Sequence, residues 1–166
     1  ECDLGYVVYC TKGLTIELEG ENTLTNNESE SAGIYADGNL TIGGEGSVAI
    51  SADEGCILSD DLTIKDSCTV TADSLIWAAT LTVQDDCALT LDGTDGISVY
   101  DDFVVTGGTV IITVNGDDDD GVYASDNVVI SGGSVTVTAG NHGIYSHTGT
   151  VTISGGKVDV TAPNDN

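Results

Sequence analysis

The chain has 166 residues, the size of one domain, and sets 28 Asp plus Glu against 3 Lys plus Arg for a net charge of −25. No cluster of cations exists to neutralise phosphates, which excludes a nucleic-acid binder and argues against docking on an anionic bilayer. No apolar run approaches the roughly 18 residues of a membrane span, and no basic-then-apolar leader precedes Glu1. These features predict a folded, water-borne body already trimmed of any targeting segment, with no membrane insertion.

Taken in chain order, the sequence is a repeat. Copies open at Gly33, Gly55, Ser74, Gly96, Gly121 and Gly143, at spacings of 22, 19, 22, 25 and 22 residues. A looser first copy starts at Gly5. Residues 1–32 are expected to form an irregular N-terminal rung or cap, residues 33–162 regular rungs, and residues 163–166 a tail beginning at Pro163, which has no N–H with which to continue a ladder. The whole reads as one domain, a module of a longer protein.

Within each copy apolar and small polar residues alternate with the period of 2 that marks strands. Leu40, Ile42, Val48 and Ile50 are predicted to face inward, with Thr41, Ala49 and Ser51 outward. In a later copy Val128, Ile130, Val135 and Val137 take the inward places. No 3.6-residue stripe is present, and the 22 glycines recur every few residues, as tight turns of similar design require. Three short strands and three turns per copy make one rung of a β-solenoid, which buries its apolar side only by stacking on its neighbours. The expected fold is therefore all-β, a right-handed parallel β-helix of about seven rungs of 19–25 residues.

Stacking converts equal positions into columns, with rungs about 4.8 Å apart. One acid column follows the last strand of each rung and holds Asp53, Glu54, Asp73, Asp92, Asp95, Asp117, Asp118, Asp119, Asp120 and Asn141. A second precedes the middle strand and holds Asp37, Asp60, Asp61, Asp101, Asp102 and Asp126. Carboxylates at that spacing repel one another, by about 1–3 kcal/mol per pair between bulk-water and surface dielectrics. A shared Ca²⁺, a hard cation satisfied by irregular oxygen cages, would relieve that repulsion. The expected calcium ligands come from Asp92, Asp95, Asp117–Asp120, Asn141, Asp101, Asp102 and Asp126, with the expanded turn at Asp117–Asp120 the best site.

Tyr35, Tyr123 and Tyr145 stand two residues after a rung-opening glycine and form an outward aromatic column, either a structural ladder or a platform for a sugar face. Trp77, Tyr100 and Phe103 are placed off that column. His142 and His147 bracket Tyr145 and read as exposed turn residues. Of the five cysteines, Cys68 and Cys87 share an inward column, and Cys56 is assigned to the column of Ile34; all three read as small core residues. A Cys2–Cys10 bridge could close an N-terminal loop.

The phrases GIYADGNLTI, SGGSVTVTAG and the acid run before Gly121 closely resemble the carbohydrate-binding parallel β-helix family of cell-surface proteins of Gram-positive, clostridial-type anaerobes. The resemblance spans about residues 33–162, strongest over Gly121–Ala139 and Gly143–Ala162. It implies a secreted or cell-surface protein that binds calcium through turn aspartates and takes plant cell-wall polysaccharide, acidic pectin-like chains or cellulose. Catalysis is not expected: the chain contains no Arg, the usual base of calcium-dependent lyases of this fold, and carboxyl pairs mean little among 28 acids. The function expected is that of a noncatalytic calcium- and carbohydrate-binding module. The alternative is an extracellular scaffold subunit, stabilised by calcium and self-associating end to end. An ice- or mineral-binding hydroxyl array on the columns Ser51, Thr71, Thr90, Thr113, Thr138, Thr161 and Thr41, Thr63, Thr82 is not expected, because Val105 and Val129 interrupt the second and Ala49, Ala88, Ile111 and Asp159 spoil the position beside the first.

Overall fold

The computed structural model describes residues 5–162. All regular structure among them is β, in seven rungs. Rung 1 comprises β1 (Tyr6–Cys10), β2 (Leu14–Leu18) and β3 (Glu21–Asn26), and rung 2 comprises β4 (Ala32–Ala36), β5 (Leu40–Gly44) and β6 (Ser47–Ala52). In rungs 3 and 4 the first two strands fuse: β7 (Gly55–Ile64) precedes β8 (Thr69–Ala72), and β9 (Ile76–Val83) precedes β10 (Ala88–Gly93). Rung 5 returns to three strands, β11 (Ile97–Val99), β12 (Phe103–Val105) and β13 (Thr109–Val114). Rung 6 has β14 (Val122–Ala124), β15 (Val128–Ile130) and β16 (Ser134–Thr138), and rung 7 has β17 (Ile144–Ser146), β18 (Val151–Ile153) and β19 (Lys157–Thr161).

Every strand pairing is parallel, rung on rung, as the repeat demands. First and second strands build one sheet of 12 strands, and third strands build another of 7. Residues 6–26, expected to be irregular, pair along all three of their strands with rung 2.

The period-2 alternation sets which side chains the stack encloses. The column Leu14, Leu40, Leu62, Leu81, Phe103, Val128, Val151 runs the length of the molecule, with Ile16, Ile42, Ile64, Val83, Val105, Ile130, Ile153 beside it. Leu40, Ile42, Val48 and Ile50 are buried as expected, and so are Val128, Ile130, Val135 and Val137. Each such side chain contributes about 1.5–3 kcal/mol of hydrophobic stabilisation relative to exposure.

The turn between second and third strands needs left-handed backbone. Rungs 5, 6 and 7 supply Gly108, Gly133 and Gly156 there, at φ of 73°, 73° and 77°. Rungs 3 and 4 use Asp66 and Asp85 instead, at φ of 63° and 60°. Asp tolerates this region because its short carboxylate bonds locally. Here it bonds the next rung: Gly44 N–H donates to Asp66 Oδ2 (3.2 Å), and Asp66 N–H donates to Asp85 Oδ2 (3.2 Å).

The register corrects three sequence assignments. Ile34 pairs with Ile57, so Cys56 lies one position before the Ile34 column. Thr71 and Thr90 align with Ala49 and Ile111, whereas Ser51 follows Thr25, and Thr113 pairs with Asp92 and Thr138. Val104, not the buried Val105, continues the column of Thr63 and Thr82. The first two share a cause: rungs 3 and 4 lose residues at some corners and gain one before the first strand, so counting from the opening residue drifts by one or two places. Val104 keeps the same spacing from Gly96 that Thr63 keeps from Gly55 and Thr82 from Ser74, so its column is legible from the spacing.

Candidate functional site

The same drift concealed the main surface feature. Parallel pairing places Tyr9, Tyr35, Leu58, Trp77, Ser98, Tyr123 and Tyr145 in one outward column across all seven first strands. Trp77 is thus on the tyrosine column, contrary to its sequence assignment. Gly55 aligns with Ala32 rather than with Gly33, so Leu58 and Trp77 stand three residues after their rung openers where the tyrosines stand two. Tyr100 lies at the adjoining corner and is exposed, and Phe103 is fully buried.

Both ends of the column are aromatic clusters. Tyr9 and Tyr35 stack with centroids 5.6 Å apart, and Tyr6 lies 5.3 Å from Tyr9 and 5.0 Å from Tyr35. Tyr123 and Tyr145 lie 5.6 Å apart at the other end. His142 stacks on Tyr145 at 5.0 Å, and His147 Nδ1 is 3.3 Å from the Tyr145 hydroxyl. Both histidines are exposed, as expected, yet they extend the aromatic cluster, a role their spacing in sequence did not suggest. Trp77, 40% exposed, occupies the middle.

Two shallow clefts border the column. One, of about 220 Å³, is lined by Tyr35, Leu58 and Trp77 with Asp37 and Asp60. The other, of about 230 Å³, is lined by Ser98 and Tyr123 with Asp95, Asp118, Asp119 and Asp120. The structure therefore gathers four of the expected acid ligands beside an aromatic ring. A larger cleft of about 480 Å³ lies away from the column and is walled by Asn26, Ser29, Ser51, Asp53, Asp73 and Thr94.

Many carboxylates hold neighbouring rungs together. Asp120 Oδ1 accepts from Asn141 Nδ2 (2.9 Å) and His142 N–H (3.0 Å), and lies 2.8 Å from His142 Nδ1. Asp92 accepts from Asn115 Nδ2 at 3.1 Å. Asp102 Oδ1 accepts from Asn127 N–H (2.9 Å) and Nδ2 (3.0 Å), and Asn127 Oδ1 in turn accepts from Thr150. Asp101 and Asp126 are exposed and joined through their backbones, Asp126 N–H to Asp101 O. This second acid column breaks at rung 4, where Ala79 and Thr80 replace acids. Asp117 lies exposed at the tip of its turn. Among the described residues, no group of three or more His, Cys, Asp or Glu side chains converges to hold a metal ion.

A further acid ladder, Asp66 and Asp85, escaped the sequence reading because those residues replace turn glycines. The Gly44 N–H bond, reinforced by Lys65 at 3.3 Å, holds the Asp66 carboxyl below the usual range.

Cys56, Cys68 and Cys87 are free and fully buried, as their inward positions suggested. Cys2 lies outside the described residues, and with it the Cys2–Cys10 pairing. Burial pushes the thiols of Cys56 and Cys68 up and that of Cys87 up to about 11. The reactive thiolate is correspondingly scarce. In the native protein these three cysteines should resist a thiol reagent that labels all of them in denaturant, as mass spectrometry of labelled peptides would show; rapid native labelling would contradict the packing.

No curated protein and no solved structure matches the chain. A family model described as carbohydrate-binding domain-containing protein matches residues 73–166, more than half of the chain. The matched segment carries Trp77, Ser98, Tyr123 and Tyr145, together with the acids of the 230 Å³ cleft. The matched part therefore holds the central and C-terminal positions of the outward column, with Tyr9, Tyr35 and Leu58 outside it, and the chain belongs to the family of carbohydrate-binding domain-containing proteins.

Proposed function

We propose that the chain is a noncatalytic module, secreted or displayed on a cell surface, that binds a linear neutral plant cell-wall polysaccharide such as cellulose along the aromatic column. The observation that carries this reading is the line of Tyr9, Tyr35, Leu58, Trp77, Tyr123 and Tyr145 on one face of the solenoid. Aromatic faces take the apolar C–H faces of pyranose rings, and flanking polar groups orient the hydroxyls. Carboxylates suit the second task, because a sugar hydroxyl donating to a charged oxygen makes a strong hydrogen bond. Asp37 and Asp60 stand on one side, Asp95 and Asp118–Asp120 on the other.

Charge selects the ligand class. Lys12, Lys65 and Lys157 all lie outside the column, so a uronate chain meets carboxylates without a compensating cation on a protein of net charge −25. Pectin-like chains are then taken only through calcium, for which hard oxygen donors are present at Asp95 and Asp118–Asp120. Those oxygens do not converge as they stand, and Asp120 is engaged by Asn141 and His142, so neutral-glycan binding is assigned no calcium-dependent step.

Pull-down on insoluble cellulose and polygalacturonate, each with calcium and with chelator, tests the reading. Retention on cellulose in chelator supports it, whereas retention only on polygalacturonate and only with calcium would replace it with a cation-bridging mechanism. Replacing Asp118→Asn together with Asp119→Asn should reduce any rise in melting temperature that calcium produces. An unchanged calcium response would remove that turn from the metal site.

A further inference from the structure

The outward column of the first strands is not aromatic throughout. Rungs 2, 4 and 6 carry Tyr35, Trp77 and Tyr123, whereas rungs 3 and 5 between them carry Leu58 and Ser98. Large rings therefore recur at every second rung, about 9.6 Å apart, twice the spacing of paired strands. Tyr9 and Tyr145 flank this series and pack against its ends, with centroids 5.6 Å from those of Tyr35 and Tyr123 respectively. The positions between the rings are hollows. The cleft of about 220 Å³ has Leu58 between Tyr35 and Trp77, and the cleft of about 230 Å³ has Ser98 and Tyr123 in its wall. Along the solenoid the face alternates ring, hollow, ring, hollow, ring.

Such relief selects among sugar chains by their linkage. In an extended β-1,4-linked pyranose chain successive rings are related by half a turn, so whatever one side of the chain presents returns at every second sugar. One sugar advances the chain by little more than one rung spacing of about 4.8 Å, so its two-sugar repeat keeps step with the two-rung repeat of the rings. The aromatic faces meet the sugars that repeat. The hollows receive the sugars between them, where Asp37 and Asp60 at one, and Asp95 at the other, accept from hydroxyl groups. An α-1,4-linked chain coils instead and does not keep three rings in step.

We infer that this face reads linkage: Tyr35, Trp77 and Tyr123 engage every second sugar of an extended β-1,4-linked chain, and Leu58 and Ser98 determine specificity by keeping rungs 3 and 5 free of rings. The inference rests on the carbohydrate-binding reading of the column and adds that the spacing of the rings, rather than their number, sets the affinity. A continuous aromatic ledge would accept any sugar chain able to lie along it. An alternating one discriminates by mismatch, since a chain of different repeat loses contacts at successive rings.

Exchanging two neighbours in the column, Trp77→Ser with Ser98→Trp, separates spacing from number. Composition and charge stay the same while the rings move to rungs 2, 5 and 6. Isothermal titration in chelator with cellohexaose and maltohexaose, alike in sugar and length and different in linkage, reads the result. The parent should bind cellohexaose at least tenfold more tightly than maltohexaose, and the exchanged protein should bind cellohexaose at least tenfold more weakly than the parent. Both positions are on the outer face, and an unchanged melt checks the fold. Ser98→Tyr, which adds a ring at rung 5 and moves none, keeps the question open to test if the exchange does not fold; its affinity for cellohexaose should not exceed that of the parent. Equal affinity of the parent for the two hexasaccharides, parent-like affinity in the exchanged protein, or a gain in Ser98→Tyr would overturn the inference and leave the column as the binding face. Binding of neither hexasaccharide by the folded parent would overturn the carbohydrate-binding reading and this inference with it.

Discussion

Trp77→Ala should lower affinity for insoluble cellulose at least tenfold while leaving the thermal melt within a degree or two of the parent. Trp77 occupies the middle of the outward column, between Leu58 and Ser98, with 40% of its surface exposed. It stands between the tyrosine clusters of the two ends, and the 220 Å³ cleft is built partly against it. Large central aromatics dominate binding energies because they bury the most apolar area with few torsions to freeze, and a loss of about 2 kcal/mol on truncation is ordinary for such an anchor. Stability should scarcely change, because substitutions on an exposed face generally stay within about 0.5 kcal/mol. Quantitative depletion isotherms on cellulose, paired with calorimetric melts, give both readouts. Undiminished binding by the folded variant would move the site off the column.

Phe103→Ala is expected to have the opposite signature, a large loss of stability that reflects packing alone. Phe103 is the one phenylalanine in the chain and is fully buried, stacked between Leu81 of rung 4 and Val128 of rung 5's other neighbour. Its truncation leaves a cavity that stiff neighbouring rungs cannot close, so the cost should be about 3–5 kcal/mol. For a domain of this size that lowers the melting temperature by roughly 10 °C. A shift of only a degree or two would mean that the solenoid interior repacks far more readily than a column of in-register side chains allows.

The contrast between these two neighbouring aromatics shows what the sequence makes legible. Phe103 begins a run whose alternation with Val104 and Val105 sets the inward and outward faces, and the same alternation identified Leu40, Ile42, Val135 and Val137 as core. Repeat length gave the rung count and the parallel stacking for the same reason: each copy can bury its apolar side only against the next. Tyr123 and Tyr145 were legible as neighbours because both rungs open with a glycine and keep equal spacing.

Trp77 was not legible, because the register of rungs 3 and 4 depends on corners that lose or gain single residues, and a one-residue slip exchanges columns. Cys56 was misplaced by the same slip. The acids were harder for a different reason. Stacking predicts which carboxylates lie near one another, but whether one is available to a ligand depends on what the adjacent rung donates to it. Asp102 is occupied by Asn127, Asp120 by Asn141 and His142, and Asp66 by Gly44. In this protein Asp side chains brace rungs across turns, a use that their abundance alone does not distinguish from metal binding.

The most direct test of a glycan lying along the column is its length dependence. Isothermal titration with a series of cello-oligosaccharides of increasing length, in chelator, should show affinity rising with each added sugar until the chain spans the aromatic column, about 29 Å over six rung spacings, and then level off. Affinity that does not change with length, or no binding by any member of the series to the folded protein, would contradict an extended polysaccharide site on this face.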